Sequence, residues 1–144
     1  MTDQTATDPD PATPRQQVAA LCHRKGAKGR EVLLVSSSRG RWILPKGWPV
    51  DGLSDGEAAL QEAWEEGGVR DGSVSSEPLS RFRGIKRFDD GEIVPADIRV
   101  YGIKVRHIAK TFPESHRRNR RWVTLSKAAK LLIDKGYRKA LKAI

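Results

Sequence analysis

The chain has 144 residues, 38% of them hydrophobic, one cysteine, and a formal net charge of +9 from 27 Lys and Arg against 18 Asp and Glu. That length suits one domain with a self-supporting core, and a single cysteine excludes a disulfide framework or a zinc site built on cysteine pairs. No stretch approaches the ~18 apolar residues of a membrane span, and the opening M-T-D-Q-T-A-T-D-P-D-P-A-T-P lacks the basic start and apolar segment of a secretory signal, so the expected location is the cytoplasm.

Residues 1–14 hold Asp3, Asp8 and Asp10 and no base, and their polar, Pro- and Thr-rich makeup predicts a disordered tail. Residues 15–144, the expected domain, then carry 27 bases against 15 acids, a net +12. Such a body calls for a polyanionic partner: nucleic acid, an acidic membrane, or a small molecule bearing several phosphates. The bases are scattered and spell no recognisable RNA- or DNA-binding module, and no protein partner is legible.

Taken in chain order, Val18–His23 and Glu31–Ser36 read as strands joined by the K-G-A-K-G turn, and Arg41–Leu44 as a third strand stopped by Pro45. The Gly- and Pro-rich loop K-G-W-P-V-D-G-L follows. Ser54 with Glu57 three residues on spells a capping box, opening a helix to about Glu66 that ends at Gly67-Gly68. Leu79–Phe88 and Ile98–His107 read as longer strands separated by a D-D-G turn. Arg121–Leu125 reads as a short strand, and Ser126 as the cap of a final helix. The expectation is an α/β (α+β) domain, a mixed sheet covered by helices, with no internal repeat.

The chemistry-bearing segment is Q-E-A-W-E-E-G-G-V, residues 61–69. At ~100° per residue, Glu62, Glu65 and Glu66 share one helix face, and Leu60, Ala63 and Trp64 are expected to pack opposite, in the core. A solvated acidic face is the plain reading of three such glutamates. Against it stand the basic character of the chain and the Lys46-bearing loop immediately before the helix. Clustered carboxylates beside a basic surface suit a hard cation such as Mg²⁺, which also takes phosphate oxygens.

Residues 47–69, G-W-P-V-D-G-L-S-D-G-E-A-A-L-Q-E-A-W-E-E-G-G-V, resemble a Nudix box. Aligned on Gly47, the matches are Glu62, Glu65, Glu66, Gly68 and Val69, with Ala63 at the first aliphatic position. V-L-L-V-S-S-S-R (Val32–Arg39), R-W-I-L-P (Arg41–Pro45) and Trp122 ahead of a helix are similar to the diphosphoinositol polyphosphate phosphohydrolase branch, a likeness that covers residues 15–144. The resemblance implies a Nudix-type α/β/α sandwich and a pyrophosphohydrolase using Mg²⁺, with Mn²⁺ as the alternative ion. It implies Glu62, Glu66 and the Gly47 carbonyl as metal ligands, with Glu65 a further ligand or the group that orients water. Two positions depart from the family: Leu53 replaces its first Glu and Gln61 its Arg, a pair that usually forms an ion pair beside the metal. Glu57 is placed to hydrogen bond Gln61 at i,i+4. The branch's glycine triplet reads K-G-W here.

For the remaining phosphates of a substrate, Arg39, Arg41 and Lys46 flank the box, and the branch resemblance adds Arg15, Ser37 and Arg118. Arg is suited to bidentate phosphate contacts. The expected reaction is hydrolysis of a phosphoanhydride in a densely phosphorylated small molecule, a diphosphoinositol polyphosphate or a dinucleoside polyphosphate. A nucleoside triphosphate or capped-RNA pyrophosphohydrolase is the alternative enzyme. A Nudix-fold binding module weakened by Leu53 and Gln61 is the alternative of another class. RNA contact through the Arg117–Arg121 run is the lesser partner expectation. His23, His107 and His116 read as ordinary surface or sheet residues, and Trp42 and Trp48 as packing residues able to stack on a base.

Overall fold

Residues 17–22, Q-V-A-A-L-C, are buried at every position, as a strand covered on both faces must be. In the computed structural model, which describes residues 15–88 and 90–144, this run is the middle of β1 (Arg15–Gly26). The expected tail at 1–14 lies outside the described residues. β1 runs parallel to β7 (Ile93–Ile108), Val18 opposite Arg99 and Cys22 opposite Ile103. β2 (Gly29–Ser36) turns back on β1 through Gly29, whose φ of 115° a side chain would strain. β3 (Trp42–Ile43) and β8 (Arg120–Thr124) both pair with β2. β4 (Lys46–Gly47) pairs with β1, while β5 (Val69–Val74) and β6 (Ser80–Arg87) pair with β7.

Alternation along the strands sends two side-chain sets to opposite faces of this sheet. Val18, Ala20, Cys22, Leu33 and Ile103 pack with Ala58, Ala59 and Ala63 of α1 (Asp55–Gly67). Ala19, Leu21, Leu34, Ile98 and Val100 pack under α2 (Leu125–Leu131) and α3 (Lys135–Lys142). The result is a mixed sheet between helical layers, the expected α/β/α sandwich. No helix among the described residues is long and apolar enough to cross a membrane.

The capping box at Ser54 is present: its hydroxyl accepts from Glu57 N–H, and Glu57 returns the bond to Ser54 N–H at 2.8 Å. That occupies Glu57, and Gln61 donates instead to Glu65 Oε2 at 3.0 Å, so the expected Glu57–Gln61 bond gives way. The final helix is capped by Thr124, not Ser126, and is two helices broken at Leu132–Asp134. The expected inward side of α1 also changes. Ala63 is buried, Trp64 is only half-buried under Arg70, and Glu66 is 5% exposed. β4 and β5 carry no sequence signal of their own: β4 is two residues long, and β5 contains Asp71-Gly72 with register shifts against β7.

Candidate active site

The helix bearing the acids is fixed at both ends. Gly68 closes it in the left-handed conformation (φ 74°), its N–H donating to Ala63 and Trp64 carbonyls. A Cβ there would collide with Phe112 and Arg120. Arg120 Nη1 donates to the Gly67 carbonyl at 2.8 Å, and the loop after β7 is tied to the helix by Ala109 N–H to Gly68 O (2.8 Å) and Glu114 N–H to Glu65 O (3.0 Å). These bonds bring Glu114, a residue the sequence reading missed, beside the helix carboxylates.

Glu62 and Glu66 meet. Burial first, then a hydrogen bond with Glu66 and repulsion from Glu66, Glu65 and Glu114, pushes the Glu62 carboxyl up to about 8. Burial also raises Glu66, opposed by the hydrogen bond from Glu62 and by Arg118. Glu66 Oε1 accepts from Lys46 N–H at 3.3 Å, which ties helix α1 to β4. Gly47 faces Glu62 so closely that any Cβ would overlap its carboxyl group. The carboxylate of Glu65 turns to Gln61. Of the expected ligand set the fold thus brings together Glu62, Glu66 and Gly47, and holds Glu65 at their edge.

Among the described residues no three acidic, His or Cys side chains are arranged to hold a metal ion. The chemistry of the pair still fits a cation. Two carboxyls pressed together, with ionisation resisted by burial and by each other, are oxygen donors of the kind a hard ion takes, and its positive charge would favour their ionised form. Glu62 and Glu66 are the residues that would hold it.

A cleft of about 1180 Å³ reaches this pair through Lys46 and Arg118, which line it and contact Glu66, while Glu62 and Glu66 are not among its lining residues. Arg41, Lys46, Arg117 and Arg118 line one part and Arg83, Lys86 and Arg87 of β6 another, with Asp134 the one acid among the described lining residues. Ser37 and Trp42 also line it, so Ser37, Arg41, Lys46 and Arg118 are gathered as expected. Ser37 Oγ accepts from Arg39 N–H and Arg41 N–H at 3.3 and 3.1 Å, shaping the turn. Arg15 lies exposed at the start of β1, and Arg39 reaches the Phe88 carbonyl at 3.1 Å; neither is among the cleft-lining residues. Lys46 is held below its ordinary range by burial, then by Lys86, with Asp134 and Glu66 opposing. The β6 bases went unread because S-R-F-R-G-I-K-R shows charge without showing that α3 packs beside that strand.

A family model described as the NUDIX domain matches residues 14–144. Human diphosphoinositol polyphosphate phosphohydrolase 3-alpha is 33% identical over 127 residues, covering 85% of this chain and 72% of that protein. Nudix hydrolase 21, chloroplastic, of Arabidopsis thaliana is 34% identical over 137 residues, covering 90% and 65% respectively. Among solved structures, a C. elegans Ap4A hydrolase superposes with TM-score 0.67 at 19% identity, covering 91% of this chain and 96% of that one. The NUDIX domain of Shewanella oneidensis NrtR, crystallised with ADP ribose, gives 0.64 at 16% identity, covering 99% and 90%.

An acidic helix closed by Gly68, seated on a mixed sheet between helical layers and matched over 14–144, makes this chain a member of the Nudix family. It is a pyrophosphohydrolase, an enzyme acting on phosphoanhydrides. Nudix hydrolases generally use divalent metal ions.

Proposed function

We propose that the enzyme hydrolyses a phosphoanhydride in a densely phosphorylated small molecule, a diphosphoinositol polyphosphate or a dinucleoside polyphosphate, with Mg²⁺, or Mn²⁺ in its place, held by Glu62 and Glu66. The observation that carries the reading is the cleft: seven cationic side chains against one carboxylate among its described lining residues, two of which, Lys46 and Arg118, also touch Glu66. Relatives about one-third identical over most of the chain are named for diphosphoinositol polyphosphates, which supports the same reading.

A divalent cation there supplies Lewis-acid charge against phosphate oxygens. The chain's own part is positioning and electrostatics, which dominate phosphoryl transfer. Lys46 and Arg41 take phosphate charge near the carboxyls, and Arg83, Lys86 and Arg87 take it further along the cleft. Glu65, held by Gln61, is the proposed water-orienting group. Arg15 and Arg39 are assigned to outer phosphates only.

One observation favours the dinucleotide over the inositol within this class, and keeps the nucleoside triphosphate alternative alive. Ile85, Ile93 and Ile133 line the cleft at 37%, 53% and 69% exposure, an apolar surface that matches a base and not an inositol ring. The deciding experiment measures phosphate release from an inositol pyrophosphate, a dinucleoside polyphosphate, a nucleoside triphosphate and a capped RNA, first with Mg²⁺ and then with EDTA. Release from the first two above the others, abolished by EDTA, is expected. Release that ignores EDTA removes the metal from the reading, and a triphosphate or RNA preference removes the substrate class.

A further inference from the structure

Arg118 faces two ways. Its Nε donates to Glu114 Oε1 at 2.6 Å, its Nη1 donates to the Ser36 carbonyl at 2.8 Å, and its Nη2 lies 3.6 Å from Glu66 Oε1. The same side chain lines the cationic cleft beside Lys46 and Arg117. Only 18% of it is exposed, as is 18% of Glu114, and 7% of the Glu66 side chain. A guanidinium at that depth, with its fixed fork of donors, interacts far more strongly with its neighbours than a surface base does.

Glu114 bears electrostatically on both Glu62 and Glu66, and among the described residues Arg118 is the base that forms ion pairs with two of these acids; the other base on Glu114, Arg117, is 65% exposed. A divalent cation at Glu62 and Glu66 brings its own positive charge to the same carboxylates. A guanidinium kept 3.6 Å from Glu66 would then face a cation across a shared ligand, and like charges at close range in a poorly solvated site repel strongly.

We propose that Arg118 is an exchangeable counter-charge: it holds Glu66 and Glu114 while no divalent cation is present, and it moves into the cleft to bind substrate phosphate once Glu62 and Glu66 take that cation. This rests on the metal-dependent reading above and goes beyond it. Cation and polyphosphate then favour each other through a protein side chain as well as by direct contact. Coupling of this kind is reciprocal, so whatever frees Arg118 promotes phosphate binding.

Two metal-separated measurements test it on the full chain. In EDTA, inorganic tripolyphosphate is titrated calorimetrically into the wild type, Glu114→Gln and Glu114→Gln/Arg118→Gln. Glu114→Gln loosens the strongest tie on Arg118 and should bind the probe ~10-fold tighter than the wild type, a gain of the size one freed charge pair supplies. The double variant should lose that gain. Without tripolyphosphate, Mn²⁺ binding followed by electron paramagnetic resonance should tighten in Arg118→Ala, because a competitor for Glu66 is gone. Arg118→Gln serves the same purpose if the alanine variant does not fold. A purely structural arginine gives the opposite sign, since loss of its ties would disorder the carboxylates and weaken Mn²⁺. Unchanged or weaker Mn²⁺ binding, or no gain in Glu114→Gln, overturns the exchange while leaving the hydrolase reading intact. A wild type whose Mn²⁺ affinity is unmoved by Glu62→Gln and Glu66→Gln overturns the metal site itself.

Discussion

Glu62 packs its carboxyl group into the space that a side chain on Gly47 would need. Gly47 is a β4 residue hydrogen-bonded to β1 opposite Val18, so its backbone cannot retreat, whereas Glu62 has rotatable bonds and can. Gly47→Ala should therefore fold with a nearly unchanged melting temperature and lose ~100-fold in kcat, the penalty of a reacting group misplaced by about 1 Å. Melting curves beside steady-state kinetics check it. An active alanine variant would remove Gly47 and Glu62 from the site.

Glu62→Gln and Glu66→Gln should each lower kcat by at least ~100-fold, because both remove a charged oxygen whose partner matters most in the transition state. They should differ in stability without metal. The Glu62 carboxyl is raised to about 8, so the fold is favoured while it is protonated and loses that contribution as pH rises from the unfolded value of 4.5 through about 8. Glu62→Gln should flatten this decline and melt above the wild type at pH 8 in EDTA. Glu66→Gln should not gain, since Glu66 also receives Lys46 N–H and faces Arg118.

His23 gives a pH response of the opposite sign. Burial, then Arg30 and Lys104, lowers it to about 4, and its Nδ1 lies 2.8 Å from Arg30 Nη1. Its contribution to stability is complete above about 6.5, the unfolded value, and is lost as pH falls toward 4. The imidazole resonances should titrate more than one unit below those of a free histidine, and a pKa near 6.5 would show that the ring is solvated.

Ser54→Ala should cost ~1 kcal/mol of unfolding free energy, as loss of an N-cap hydroxyl does. Glu57→Ala removes the reciprocal bond to Ser54 N–H and should be strongly non-additive with it. Urea midpoints of the two single variants and the double supply the cycle; full additivity would mean the two bonds do not act as one box.

The layers of the fold and the acidic helix were legible because they rest on local patterns: the apolar run opening at Val18, the Ser54–Glu57 box, and Gly67-Gly68. What was not legible depends on distant neighbours. Glu66 turned out to be the most buried acid of its helix because β4 offers it the Lys46 N–H, and β4 itself is two residues defined only by pairing with β1. Glu114 sits in T-F-P-E-S, a segment with no periodicity, and is brought to the site by its backbone bond to Glu65 and by its pairing with Arg118. The branch resemblance points to Arg118 as a phosphate contact, and nothing in H-R-R-N-R-R shows that two glutamates already pair with it.

The parallel alignment of β1 with β7 sets the order in which this enzyme comes into being on the ribosome. Residues 15–23 find their neighbours at 96–104, roughly eighty positions later, a separation that slows folding. Until that second segment has emerged, the apolar strand carrying β4 has one bare edge, which other chains can pair with. The acids at 62–66 are synthesised early, but the loop that delivers Glu114 and Arg118 leaves the ribosome only after β7 does. Over roughly a third of its synthesis, from residue 67 to residue 118, a nascent chain thus carries its acidic helix without the loop residues that tie those carboxylates.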